Sequence, residues 1–491
     1  MKKFIILAAC ALSFASCKKF LDVNQNPNNP TVVPSKVLLP NTSIGIGWAN
    51  GNELGRVSSV LMQYNTGIAN SALTYDSYNI AGLFDNQWDF EIYAAVVNNL
   101  RVIIKQSEAT DPAYSGIAKI QLAYIISVAT DLWGAVPYSQ AGFGLEFPQP
   151  RYDKQEDIYQ GNAALGIVSL FDLVKSGIAD LNKPSVLKPG IDDVIYYTSA
   201  TPTANIGKWK RAGNSLLLKF AMTVSNVNKP LATSTINEVI ASPEGFINDN
   251  SLDLQVPFSV TASNQNPMYQ QDIGGSFKNG EMLSSRLLNL SKSLNDTVRL
   301  SKMYTKPLGT RFVAFENGQT GAAPTLASRS MYNTYVVGAA GEAPVRLLTN
   351  FQMKFILAEA AVTLGVNSAN ANTLFQEGIR ASMTKVGMTT AEIDAYFTAN
   401  PTVVNLSGTD ANKVKQIVTQ KYLSWVGNGI EAYNDYRRTG YPQLALALNV
   451  TGGDNPSVIP KRLAYTSKEA NANPNQPAPR PKTDEKVWWG L

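Results

Sequence analysis

Histidine is absent from all 491 residues. That removes the commonest general base, every Ser-His-Asp or Cys-His catalytic arrangement and most zinc sites together. Cysteine is nearly as scarce: Cys10 and Cys17 are the only two, both near the N-terminus, so the body after them has neither disulfide nor thiol chemistry. No apolar run approaches the length of a membrane-spanning helix. Charge is modest at +5, and removal of Lys2 and Lys3 with the leader leaves 40 basic against 37 acidic residues, a net of +3. No dense basic patch is visible, which argues against nucleic acid as a partner. Gly274-Gly275 and Gly338–Gly341 lack the Lys-Ser/Thr of a phosphate loop, and no acidic run fits a calcium loop. No cofactor is therefore expected, although a structural calcium held by loop carbonyls would leave no trace in sequence. Carboxylate pairs such as Glu108/Asp111 and Asp192/Asp193 read as solvated loop residues, and no catalytic centre is predicted.

What is present is a 44% apolar chain that reads as mainly α. Residues 1–16 form a secretory signal: Lys2-Lys3, the apolar stretch Phe4–Leu12, then small residues. Phe14-Ala15-Ser16 before Cys17 resembles a bacterial lipobox, so Cys17 is the expected lipidated first residue of the mature chain. Residues 17–34 read as an Asn/Pro-rich tether and 35–491 as one domain. Its helices are expected in pairs: Ile92–Gln106 with Tyr114–Leu132, Ile158–Leu181 with Lys208–Val224, Phe351–Leu364 with Ala371–Val386, and Asn412–Val426 with Ile430–Arg438. Helix pairs of this size resemble tetratricopeptide units, which bury their faces only by stacking. Between them, Asn228–Asn350 reads as a long polar elaboration with one helical stretch near Met282–Leu294.

The chain is organised around Lys421–Pro442. Val414, Ile417, Val418, Tyr422, Trp425 and Val426 share one helix face, Gly427-Asn428-Gly429 breaks the helix, and a second helix ends at Gly440. Asp435 and Arg438 lie one turn apart and can pair. The run Glu431, Asp435, Tyr436, Arg437, Arg438, Thr439, Gly440, Tyr441, Pro442 resembles the signature of the SusD/RagB family of nutrient-binding outer-membrane lipoproteins of Bacteroidetes. Asp131–Ser139, Asn350–Ala361 and Ile459–Tyr465 resemble three further blocks of that family, although Thr466 stands where proline is common. These residues read as a buried, satisfied Asp–Arg hairpin rather than as ligand contacts.

The resemblance implies a SusD-like fold of four tetratricopeptide-like helix pairs. It also implies a lipid-anchored protein at the cell surface that captures an oligosaccharide and delivers it to a SusC-type TonB-dependent transporter, acting as a lid without breaking bonds. Peptide cargo, a surface glycosidase and a purely structural helical adaptor are the alternatives. Sugar faces stack on exposed aromatics while amides and carboxylates bond their hydroxyls, so the candidate ligand residues are Trp48, Tyr75, Asp76, Tyr78, Asn79 and Trp88. Tyr75 and Tyr78, set among Thr74, Asp76, Ser77 and Asn79, are expected to be exposed. Trp48 and Trp88 are read with a core role as the competing assignment.

Overall fold

The computed structural model describes residues 33–201, 205–275 and 278–491. The signal sequence, Cys17 and most of the tether lie outside the described residues. Helix α1 (Ser35–Gly51) begins the described scaffold, followed by α2 (Glu53–Leu61). A wide-turned π-helical segment, Gln87–Val97, runs directly into α3 (Asn98–Ser107). Pro112 opens α4 (Pro112–Trp133) at a position that needs no N–H donor, and Gly134 ends it at a positive φ. Every residue of α4 is buried, so it is the central rod of the fold.

The expected helix over 158–181 is interrupted. Gly161 and Gly166 adopt positive φ, and the chain restarts only at Ser169, whose side chain caps α5 (Leu170–Asp180). Helix α5 packs on α4 and on α6 (Asn205–Val224). The long insertion is also more ordered than its composition predicts. It carries helices Lys229–Ala241, Ser285–Ser293 and Thr297–Met303. The C-terminal pairs are α7 (Asn350–Thr363) with α8 (Ala371–Lys385), and α9 (Asp410–Ser424) with α10 (Gly429–Thr439). Helix α10 also lies along α2, which joins the C-terminal hairpin to the start of the scaffold.

Among the described residues, strands are short and occur as three antiparallel ribbons. They are β1 (Asn65–Gly67) with β5 (Glu281–Leu283), β2 (Val136–Pro137) with β3 (Tyr152–Asp153), and β4 (Leu254–Val256) with β6 (Val345–Leu348). The architecture is thus mainly α. Among the described residues, no helix is long and apolar enough to cross a membrane.

The four motif blocks meet in one buried polar network. Asn428 caps α10, and Gly440 stops it in a left-handed conformation. Glu431 accepts from Lys219 Nζ at 2.5 Å and Gln352 Nε2 at 2.7 Å. Arg438 forks onto Glu359 at 2.5 and 2.8 Å and onto Asp435 at 3.1 Å, and Lys421 Nζ reaches Asp435 at 2.9 Å. Asp131 accepts from Tyr159 and Asn434 at 2.8 and 3.0 Å, and from Trp489 Nε1 at 3.0 Å, which docks the apolar C-terminal stretch. Arg437 donates to the backbone oxygens of Asp131 and Lys461 and lies 4.0 Å from the Tyr433 ring centroid. The buried Asp–Arg hairpin expected from sequence is therefore present.

Candidate functional site

A cleft of about 520 Å³ opens where three distant segments converge: residues 67–79, the insertion loop 315–323, and 449–451. Its floor is tied by Asp76, which is buried. The carboxylate accepts from Thr66 Oγ1 at 2.8 Å, Gly67 N at 3.3 Å, Asn317 Nδ2 at 2.7 Å and Gly318 N at 2.7 Å. Burial raises its pKa, and the hydrogen bonds from Asn317 and Gly318 oppose that rise. The third segment is stitched on by backbone bonds. Leu448 N donates to Asn317 O at 3.0 Å, and Gly452 N donates to Ser77 O at 3.0 Å. Gly452 is required there, because a Cβ would lie 2.4 Å from Asn79 Cα.

The walls divide by chemistry. Ile68, Leu73 and Phe315 give an apolar surface, with Leu73 48% exposed. Asn79, Gln319, Thr320, Asn449 and Thr451 are exposed on the polar side. Amides and hydroxyls that both donate and accept, beside a small apolar face, suit a neutral polyhydroxylated ligand. Among the described residues, Asp76 is the one ionisable group lining the cleft, and four donors occupy its carboxylate.

The expected exposure of Tyr75 and Tyr78 is overturned: they are 2% and 3% exposed. Tyr75 lies on the short helix Asn70–Asp76 and Tyr78 two residues beyond it, and both rings turn inward while Thr74 and Ser77 face the cleft. The Tyr78 hydroxyl accepts from Ala447 N at 3.0 Å, and its backbone is held at a φ of 61°, a left-handed conformation unusual for an aromatic residue. Trp48 lies half-buried on α1. Trp88 is buried and packs edge-on against Trp133 at 5.2 Å, although it borders a second, separate cleft. Of the six candidates, the structure thus brings Asp76 and Asn79 to this cleft. Phe315, Gln319, Thr320, Asn449 and Thr451 were missed. The length of the polar insertion was the only sequence signal for the first three, and nothing marked the last two.

The inward-facing side of the 67–79 segment, through Ser71 and Tyr75, joins a buried ionic cluster. Arg56 Nε donates to Glu281 Oε1 at 3.0 Å and approaches Asp272 at 3.4 Å, while Nη1 reaches Glu53 at 2.8 Å and Ser71 Oγ at 3.1 Å. The Tyr75 hydroxyl donates to Glu53, and Asn65 Nδ2 donates to Glu281 at 2.6 Å. Three carboxylates thus share one guanidinium. Burial would lower the Arg56 pKa, but Glu281, Asp272 and Glu53 outweigh it and raise it. Burial, reinforced by Asp272, raises that of Glu281. Among the described residues, no grouping of His, Cys, Asp or Glu fits a metal ion.

A SusD-like family model described as starch-binding and associating with the outer membrane matches residues 27–466. A search of curated proteins finds no match. Solved structures with the same fold include a chitin-binding protein, 23% identical with a TM-score of 0.74, covering 93% of this chain and 100% of its own. A chitin-binding SusD homologue from Flavobacterium johnsoniae is 20% identical with a TM-score of 0.77, covering 93% and 98%. A SusD homologue from Bacteroides uniformis is 22% identical with a TM-score of 0.72, covering 93% and 98%.

Proposed function

Since the chain belongs to the SusD-like family, we propose that it captures a neutral oligosaccharide in the cleft between residues 67–79, 315–323 and 449–451 and hands it to a SusC-type TonB-dependent transporter. The observation that carries this reading is the lining of that cleft: exposed amides and hydroxyls beside Leu73 and Phe315, with its one carboxylate saturated. The family's outer-membrane association supports a place at that membrane, and a lipid on Cys17 is the anchor we infer. The action is binding without bond cleavage, with the protein closing over its transporter as a hinged lid.

The test is calorimetry of the full-length protein against a panel of neutral oligosaccharides and short peptides. One oligosaccharide is expected to bind, and Asn79→Ala combined with Gln319→Ala to weaken it about tenfold, the loss of two hydrogen bonds worth about 0.5–1.5 kcal/mol each. Binding of peptides alone, or sugar binding indifferent to these substitutions, would overturn the reading. Co-purification of a transporter with the lipidated protein from native membranes tests the partner.

A further inference from the structure

The second cleft, about 380 Å³, lies between the π-helical segment Gln87–Val97, the loop 141–150 and the short helix Ser467–Ala472. Its chemistry differs from that of the first. Tyr93, Phe147, Pro148 and Pro150 supply flat apolar walls, and among the described residues the two charged side chains on the lining, Asp89 and Glu469, are both acidic. Arg101 stands behind one wall. Its guanidinium is committed to the carbonyls of Tyr138 and Ala141, at 2.8 and 3.3 Å, and it lies 5.1 Å from the Phe143 ring centroid. Its donors are therefore occupied by backbone carbonyls, and it forms no ion pair with either acid of the cleft.

The two carboxylates are unequally served. Lys468 Nζ sits 2.5 Å from Asp89 at the rim, so the chain itself shows that this edge accepts an ammonium. Glu469 accepts from Asn473 Nδ2 at 3.1 Å, and among the described residues no basic side chain pairs with it. Partial burial, with a smaller push from the neighbouring Asp89, raises its pKa, and hydrogen bonds from Asn473, Tyr152 and Trp88 oppose that rise. An incoming cation would offset both the burial and the push from Asp89. Aromatic faces attract a cation and also stack on the C–H face of a sugar ring.

We propose that this second cleft binds the protonated amine of an amino sugar within an oligosaccharide, with Glu469 as the ammonium partner and Phe147, Pro148 and Pro150 against the ring. Asn98 and Asn473, also on the lining, supply donors and acceptors for ring hydroxyls. The compact, flat-walled shape favours a ring over an extended lysine side chain. The proposal rests on the protein's being a glycan binder, but it uses residues that the first cleft does not.

The test compares a glucosamine trimer, its N-acetylated counterpart and trilysine by calorimetry on the full-length protein. The free-amine trimer is expected to bind, with an affinity that falls as salt rises. Glu469→Gln, which keeps the acceptor for Asn473, should weaken it about tenfold, as expected for losing a charge-assisted bond. Phe147→Ala should weaken it about fivefold, on the order of one aromatic stacking contact. Gln319→Ala should leave it unchanged, and Glu469→Gln should leave neutral-glycan binding unchanged, so the two clefts are scored separately. Absence of binding, equal affinity for free-amine and acetylated trimers, tighter binding of trilysine, or an affinity insensitive to Glu469→Gln would each overturn the proposal.

Discussion

The buried network around α10 and the cleft around Asp76 are built from similar groups but differ in their partners. In the first, Glu431, Asp435, Arg437 and Arg438 find complementary partners inside the protein, and little space remains beyond a cavity of about 10 Å³, room for about one water. In the second, one carboxylate is saturated to fix the backbone while the surrounding amides and hydroxyls face solvent. The residues that identify the family are those that fold it. The residues we propose for ligand binding carry no recognisable motif, because loops are free to vary once their anchor is held.

Breaking the network should have the largest effect. Arg438→Leu leaves Glu359 and Asp435 buried with less compensation, and a loss of about 3–5 kcal/mol in chemical denaturation is expected. Any fall in ligand affinity should then track the fraction unfolded.

The next test is pH. Burial raises the pKa of Asp131 to about 6, against opposing attraction from Lys219. The folded state therefore holds this proton more tightly than the unfolded chain. Its contribution is complete below the unfolded value of about 4 and is lost as pH rises through about 6. Two pKa units correspond to about 3 kcal/mol. Carboxyl titration by NMR of labelled Asp131 should show the raised midpoint; a midpoint near 4 would mean that the network holds the ionised form after all.

The smallest effect belongs to the cleft. Thr320→Ala should leave thermal stability within error and weaken a bound oligosaccharide about fivefold, the share of one hydrogen bond. A measurable loss of stability would show that this wall is structural, and the contrast between the two regions would narrow.

The helix pairs were legible because apolar spacing of three and four survives in sequence, and the Asp435–Arg438 pairing because one helical turn fixes it. Helix α1 was not legible: Pro40 and the glycines at 45, 47 and 51 imitate a loop. Those glycines are packing devices. A Cβ on Gly45 would lie 2.8 Å from Val96, on Gly47 2.6 Å from Val256, and on Gly51 2.6 Å from Pro267. The same blindness to tertiary neighbours placed Tyr75 and Tyr78 outside. Polar flanking residues show that a segment touches water, not which of its faces does. The segment does border a cleft, but Thr74, Ser77 and Asn79 face it and the two rings do not.

The ionic cluster around Arg56 has a consequence in solution. Glu281 and Asp272 hold protons more firmly in the folded protein than they would in an open chain, since burial and mutual repulsion disfavour two bare charges beside one Arg56. Folding near neutrality accordingly draws protons from the medium, and unfolding returns them. The heat of unfolding then includes the ionisation heat of whichever buffer receives those protons, so phosphate and Tris would give different calorimetric enthalpies for the same transition.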